Sequence, residues 1–372
     1  MIAVVGAGLM GAATAWQLAR QGHEVTLIEA YDIGHQHGSS HGSSRIYRRA
    51  YADPLYVGLT GEARALWHEL EDDTGATLLR LTGGLDFGAG RDPRSLYGTL
   101  SGSGVPSELL TAAEANGRWP QFRFSGPVLH HPDAGTVDAD AAVTATARRA
   151  AGLSARVLTG TRVTGAEVLP DGRVSLRTDG GEEVVAETVV VAAGAWLPEL
   201  ADVLGVPVRL PPLHVTQQQV FHFRQHDPAA DWPVFVHKEQ LQIFGLPSGS
   251  DGGALPAVKV AQHDEGTPTT AGTRTGRVDP ASRAKVTAWV EAVLPGLDPT
   301  PVAEASCLYT TTPDEDFVLD RVGPFVLVSP CSGHGAKFAP LIGRMTADLA
   351  LGRTRAHPRF ALDRRRLAET PS

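Results

Sequence analysis

The chain has 372 residues, 42% hydrophobic and 20% charged, with 41 glycines and 26 prolines, a globular, turn-rich composition long enough for about two domains and a large core. Its 33 basic and 41 acidic residues leave a net charge of −8, so no global positive field holds a polyanion and nucleic acid is not an expected partner. Two cysteines, Cys307 and Cys331, are too few for a disulfide framework or a structural zinc site.

The opening residues MIAVVGAGLMG place strand residues at position 2 with no basic leader, and no run of about 18 apolar residues follows anywhere. A soluble, cytoplasmic protein without membrane contact is expected. Ile2–Val5 reads as a strand, 10–21 as a helix closed by Gly22, and Val25–Ile28 as a second strand ending at Glu29; together they make a β–α–β unit. Leu55, Leu59, Ala63, Leu66 and Leu70 give helical periodicity over 54–73, and 139–151 is an Ala-rich helix. The stretch between them reads as short strands and Gly/Pro turns. Residues 161–169, 173–178 and Glu183–Ala186 form a predicted meander, and 188–192 a fully buried strand running into Gly194. From 207 to 306 the pattern changes to strands at 215–224, 240–245 and 257–261 and a helix over 280–293. Strands at 317–320 and 325–328, a glycine loop over 332–335 and a helix to about 351 close the chain.

Gly6, Gly8 and Gly11 spell G-x-G-x-x-G between a strand and a helix, with Glu29 23 residues after the first glycine. Glycines there permit a tight turn, approach of a pyrophosphate and close helix packing, and the acid accepts from a ribose hydroxyl. A dinucleotide site follows, although the motif alone does not separate NAD from FAD. VVVAAGAW (189–196) adds a second strand ending in small residues, as a second approach to a dinucleotide would require. His35, His37 and His41 lie in a loop without neighbouring carboxylate or thiolate ligands, so no metal is expected.

GSSHGSSRIYRRAY (38–51), PAVKVAQHDEGT (256–267), ASCLYTTTPDEDFVLD (305–320) and CSGHGAKF (331–338) resemble the monomeric sarcosine oxidase and N-methyltryptophan oxidase family of D-amino-acid-oxidase-like FAD enzymes, from the first glycine to the final helix. The resemblance implies FAD joined covalently through Cys307, while Cys331 is a small buried residue. It implies that Leu9, Met10 and Ala30 beside the first motif, Gly38, Ser39, Ser44 and Arg45, then Val163, Ala193, Gly194 and Trp196, and finally Gly333, Gly335 and Lys337 line the cofactor. It further implies that Arg48 and Lys337 clamp a substrate carboxylate, which suits a planar guanidinium fork. His41 and Arg45 would sit against the flavin, Lys259 would activate oxygen, and His263, Tyr309 and His334 would surround the reacting centre.

Two positions depart from the family pattern. Phe244 stands where sarcosine oxidase has a pocket tyrosine, and Ala336 where an aromatic is common, removing a hydroxyl and a wall and favouring a larger secondary or cyclic amine. The expected fold is α/β: a Rossmann-type FAD-binding domain (1–80, 138–206, 307–372) with an inserted, mainly antiparallel substrate domain (81–137, 207–306). The expected activity is oxidation of a secondary amino acid by O2 in a monomer. The alternatives are an imino-acid oxidase or desaturase of a biosynthetic pathway, a NAD-dependent dehydrogenase, and a non-catalytic flavin-binding protein.

Overall fold

The computed structural model describes residues 1–263 and 265–364; Asp264, and residues 365–372 at the end of the expected cofactor domain, lie outside the described residues. The first strand, Ile2–Val5, is buried at every position and occupies the middle of a six-stranded sheet. Val25–Ile28 and Thr188–Val191 flank it in parallel, in register Ile2↔Val25 and Ile2↔Thr188. Arg156–Leu158 and Phe325–Ser329 extend the sheet in parallel, and Val318–Val322 closes one edge antiparallel. Covered by helices, these short strands are apolar at successive positions rather than alternating.

The helix Leu9–Ala19 packs on the final helix Ala339–Ala350 and on Ala139–Gly152, around fully buried Trp16 and Trp67. The contact between the first and last helices is backbone-close: a Cβ on Gly343 would fall 2.6 Å from the Ala13 carbonyl carbon and 2.8 Å from its Cβ.

The second large element is a nine-stranded sheet, mostly antiparallel. Its axis is the pairing of His214–Gln225 with the 15-residue strand Leu297–Thr311, in register from His214↔Thr311 to Gln225↔Leu297. Ala257–Gln262, Gln242–Pro247 and Val234–Lys238 follow, and Gly84–Phe87 joins Val234–Lys238 in parallel. Its core is aromatic, with Phe87, Phe122, Phe124, Phe221, Phe223, Phe235 and Trp289 in one cluster.

The stretch expected to hold mostly short strands and turns contains two helices. Pro93–Gly102 starts at Asp92, whose side chain accepts from Ser95 N, and Ala112–Arg118 carries a Thr111/Glu114 capping box; both caps stand in the sequence as D-P and T-x-x-E. The expected boundary at 306/307 falls inside Leu297–Thr311, whose pairing with His214–Gln225 is continuous from Ala303 to Thr311. The first helix begins one residue earlier and ends two earlier than read, with Gly22 following at φ +81°.

The tight contact at Gly343 yields a test. Gly343→Ala should lower stability by about 1–3 kcal/mol, since the added methyl meets backbone that cannot rotate aside, and urea denaturation monitored by tryptophan fluorescence should show it.

Candidate active site

One cavity of about 880 Å³ runs from the glycine turn across the six-stranded sheet to the face of the large sheet. At its first end, Gly6 adopts φ +99°, and a Cβ there would lie 2.5 Å from Ala192 O; a Cβ on Gly11 would lie 1.7 Å from Gly6 O. Only glycine permits this turn, and Gly11 therefore packs beneath it rather than lining the cavity. The Leu9 amide at the helix start donates to Ser40 Oγ at 3.1 Å. Glu29 accepts from the Ala7 amide at 2.7 Å and the Tyr31 amide at 3.0 Å and pairs with His35 Nε2 at 3.3 Å. Burial raises its pKa, but His35 and the two amides outweigh burial and hold it below the usual value. Leu9, Met10, Ala30, Gly38, Ser39, Val163, Ala193, Gly194 and Trp196 line this end together with Gly6, Gly8 and Glu29.

At the centre, residues 41–45 turn their carbonyls inward. Arg45 donates to Ser44 O at 3.0 Å and to His41 O. Lys259, 2% exposed, donates to Ser44 O at 3.1 Å and pairs with Asp251 Oδ2 at 2.5 Å. Asp251 is held in turn by Ser43, whose hydroxyl donates to Oδ1 at 2.8 Å and accepts from the Asp251 amide at 2.9 Å. Burial and neighbouring Arg45 push Lys259 down to about 8 against the pull of Asp251. Cys307 lines the cavity, paired in the ladder with Gln218. Burial pushes its thiol up, while Arg45 and Lys259 draw it down.

The far end holds the buried cations. Lys337 Nζ donates to Tyr51 OH at 3.1 Å and to His334 O at 2.5 Å. The Arg48 guanidinium lies 4.2 Å from the Tyr51 ring centroid and donates to Ala50 O. His334 is pushed to about 3 by burial and Lys337, so its ring is neutral; with Nε2 donating to Glu315 O at 3.1 Å, Nδ1 must accept from Tyr51 OH, also at 3.1 Å. Tyr51 then accepts from Lys337, which fixes the direction of the ammonium. Burial and Arg48 hold Lys337 well below the ordinary lysine value. Phe244, His263 and Tyr309 form a row, with ring centroids 6.3 Å and 5.6 Å apart, and Ala336, Gly333 and Gly335 line the wall beside them.

Of the residues read from the sequence, Gly11 and His41 do not line this cavity. The His41 ring is buried, with Nε2 lacking a protein partner, and burial with Arg45 nearby holds it neutral, near 3. Asp251, Tyr51 and Arg91 are functional positions that the sequence reading missed. Tyr51 stands in R-R-A-Y beside Arg48, a signal that was available; Asp251 and Arg91 reach the site through loops with no motif. Among the described residues no group of three His, Cys, Asp or Glu side chains is placed to hold a metal, and no helix is long and apolar enough to cross a membrane.

A glycine turn against a helix start, an acid at the next strand end and a second strand approaching the same cleft define an oxidoreductase that uses a dinucleotide. The chain belongs to the FAD dependent oxidoreductase family, whose model matches residues 1–349, and the reading as a NAD-dependent dehydrogenase is set aside. It is 33% identical to monomeric sarcosine oxidase of Streptomyces avermitilis over 100% of this chain and 98% of that protein. It is 31% identical to peroxisomal sarcosine oxidase of Homo sapiens, covering 99% and 96%. Among solved structures, NikD, described as an unusual amino acid oxidase essential for nikkomycin biosynthesis, superposes with a TM-score of 0.86 at 27% identity, covering 97% of this chain and 96% of that one. The protein is thus an FAD-dependent amine oxidase related to the sarcosine oxidases. The residues present fit the cofactor: the turn at Gly6 admits no side chain, and Ser44, which lines the cavity, has its Oγ buried without a protein partner.

The Lys259–Asp251 pair predicts a coupling. Asp251→Asn should cost about 1–3 kcal/mol at pH 7, less than a fully buried pair because Asp251 is 24% exposed, and Lys259→Met in the same chain should restore most of it. Since folding lowers the Lys259 pKa from 10.5 to about 8, the unfolded chain binds the extra proton between those values. This group's contribution therefore rises with pH across that window, and denaturation midpoints from pH 7 to 10 should lose that slope in Lys259→Met.

Proposed function

We propose that the protein oxidises the C–N bond of a secondary amino acid, N-methylated or cyclic, to an imine, with O2 reduced to H2O2. The observation that carries this reading is the convergence of half-buried Arg48 and buried Lys337 on Tyr51 at the closed end of the cavity, two cations that a substrate carboxylate would neutralise. FAD would be held by the Gly6 turn, Glu29 and the 38–45 segment, and when bound it supplies the acceptor for the two electrons and hydrogen that leave the substrate. Arg48 offers a planar fork and Lys337 a point charge oriented by Tyr51, so the carboxylate is fixed in two directions. That anchor would set the amine against the half-buried row Phe244, His263 and Tyr309. The buried ammonium of Lys259 stands on the Cys307 side and would stabilise negative charge that develops on oxygen.

Cys307 would hold FAD covalently by a thioether, its thiol opening into the cavity near two cations. Phe244 lacks the hydroxyl of the pocket tyrosine whose place it takes, and Ala336 reduces the wall, which favours substrates larger than sarcosine. The likeness to NikD supports a second reading, oxidation of a cyclic imino acid within a biosynthetic pathway. A monomer working in the cytoplasm completes the proposal.

Acid precipitation of the holoenzyme should leave a yellow pellet, and Cys307→Ser should release the colour to the supernatant; a colourless wild-type pellet contradicts the covalent link. In a panel assayed for H2O2, proline, pipecolate or bulky N-methyl amino acids should exceed sarcosine in kcat/KM, and amines lacking a carboxylate should fall far below both. Arg48→Ala should weaken binding roughly 10- to 150-fold, the worth of one charged hydrogen bond of about 1.5–3 kcal/mol, and Arg48→Lys should recover only part. Equal rates on carboxylated and simple amines would exclude the clamp.

A further inference from the structure

Arg48 is not the only guanidinium at the closed end. Arg91, at the end of the short turn Ala89–Arg91, lines the same cavity and donates through Nη2 to Ala50 O at 2.9 Å, the carbonyl that also accepts from Arg48 Nη1. Two nitrogens sharing one acceptor lie no more than about 6 Å apart, twice an N–H···O length. The protein supplies one carboxylate to this pair. Asp86, 1% exposed, accepts from Arg91 Nε at 2.6 Å through Oδ1, and its Oδ2 is taken by His131 Nε2 at 3.1 Å. Burial opposes ionisation of Asp86, but Arg91, His131 and Arg48 keep it charged.

Lys238 adds a further cation. It lines the cavity beside the Arg91 turn, where its backbone oxygen lies 2.6 Å from the Cβ position of Gly88 and its Cγ 3.2 Å from that of Gly90. The acids at the mouth do not compensate. Asp53 and Asp316 are bound to Arg359, Asp314 to Arg364, and Glu315 is exposed. Once a substrate carboxylate has taken Arg48 and Lys337, Arg91 and Lys238 remain at this edge, faced by Asp86 on Arg91 Nε and by Glu239, whose carboxylate accepts from the Ala89 amide at 3.4 Å. Arg91 Nη1 has no protein acceptor among the described residues, although the rest of its guanidinium is engaged.

We propose that Arg91, with Lys238 beside it, forms a second anion subsite, and that the substrate is a secondary amino acid whose side chain carries a further carboxylate, an N-alkylated aspartate or glutamate in chemical class. This deepens the oxidase reading and rests on it. The spacing suits carboxylates two or three carbons apart, because Arg48 and Arg91 meet on one carbonyl. The fork of Arg91 is held rigid by Asp86 before any ligand arrives, which lowers the ordering cost of binding.

The test is calorimetric titration of the holoenzyme with two thioethers in which sulfur replaces the oxidisable nitrogen: (methylthio)acetate, with one carboxylate, and 2-(methylthio)succinate, with two. The succinate should bind about tenfold or more tightly than the acetate, and the advantage should shrink as salt is raised. In Asp86→Asn/Arg91→Gln, where a neutral amide pair replaces the ion pair and keeps the fold, the ratio of the two affinities should fall toward one. Binding of the acetate with no gain for the succinate overturns the subsite and leaves the oxidase reading standing. A gain that persists in the double variant overturns the assignment to Arg91. Binding of neither thioether overturns the amino-acid reading of the cavity, and the subsite with it.

Discussion

Burying positive charge is the constraint on which the cavity depends. Lys259 and Lys337 are removed from water and Arg48 is half-buried, and each buried cation loses hydration worth several kcal/mol unless oxygens replace it. The chain supplies them mainly as carbonyls: Ser44 O for Lys259 and Arg45, Ala50 O for Arg48 and Arg91, His334 O for Lys337. Irregular backbone at 38–44, 48–52 and 330–335 answers this demand, since carbonyls committed to a helix or sheet ladder are not free to turn toward a side chain. Asp251 and Asp86 are the two carboxylates brought close to these cations, one on each side of the cavity. The remaining positive charge is left for what binds.

Much of this was legible in the sequence where residues act on near neighbours. The β–α–β unit announced itself because the glycine spacing, the apolar strands and Glu29 lie within 30 residues and each answers a local steric or hydrogen-bonding need. The 41–48 segment and the loop around His334 were legible through resemblance, and the structure brings Arg48, Cys307, Lys259 and Lys337 to one cavity. Asp251 was not legible: a G-S-D-G-G turn carries no periodicity, and its carboxylate acquires meaning only when Ser43, 208 positions away, comes beside it. Arg91 is hidden likewise, since its partners Asp86 and Ala50, and the His131 that holds Asp86, come from three segments. The two helices at 93–102 and 112–118 were missed for a different reason: their capping signals are present, but their apolar faces are too short for a clear period.

The shell around Tyr51 shows how a neutral group can order charged ones. Tyr51 touches Arg48 through its ring and Lys337 through its hydroxyl, and His334 decides which way that hydroxyl points. A charged His334 would donate from both nitrogens and turn the hydroxyl around, placing a proton toward the ammonium. Keeping the imidazole neutral in apolar surroundings thus holds the pair of cations in one arrangement across the physiological pH range.

The strand Leu297–Thr311 begins in the aromatic core of the large sheet and ends at Cys307 and Tyr309 in the cavity wall, locked to its partner in register nearly throughout. A rigid beam of this kind removes one way of opening the molecule. Swinging the large sheet away from the six-stranded sheet about residue 306 would strip ladder hydrogen bonds, each worth roughly 0.5–1.5 kcal/mol net, and would carry the Cys307 sulfur with it. With that motion resisted, the Cys307 sulfur and the aromatic wall beside it stay mechanically still relative to the large sheet.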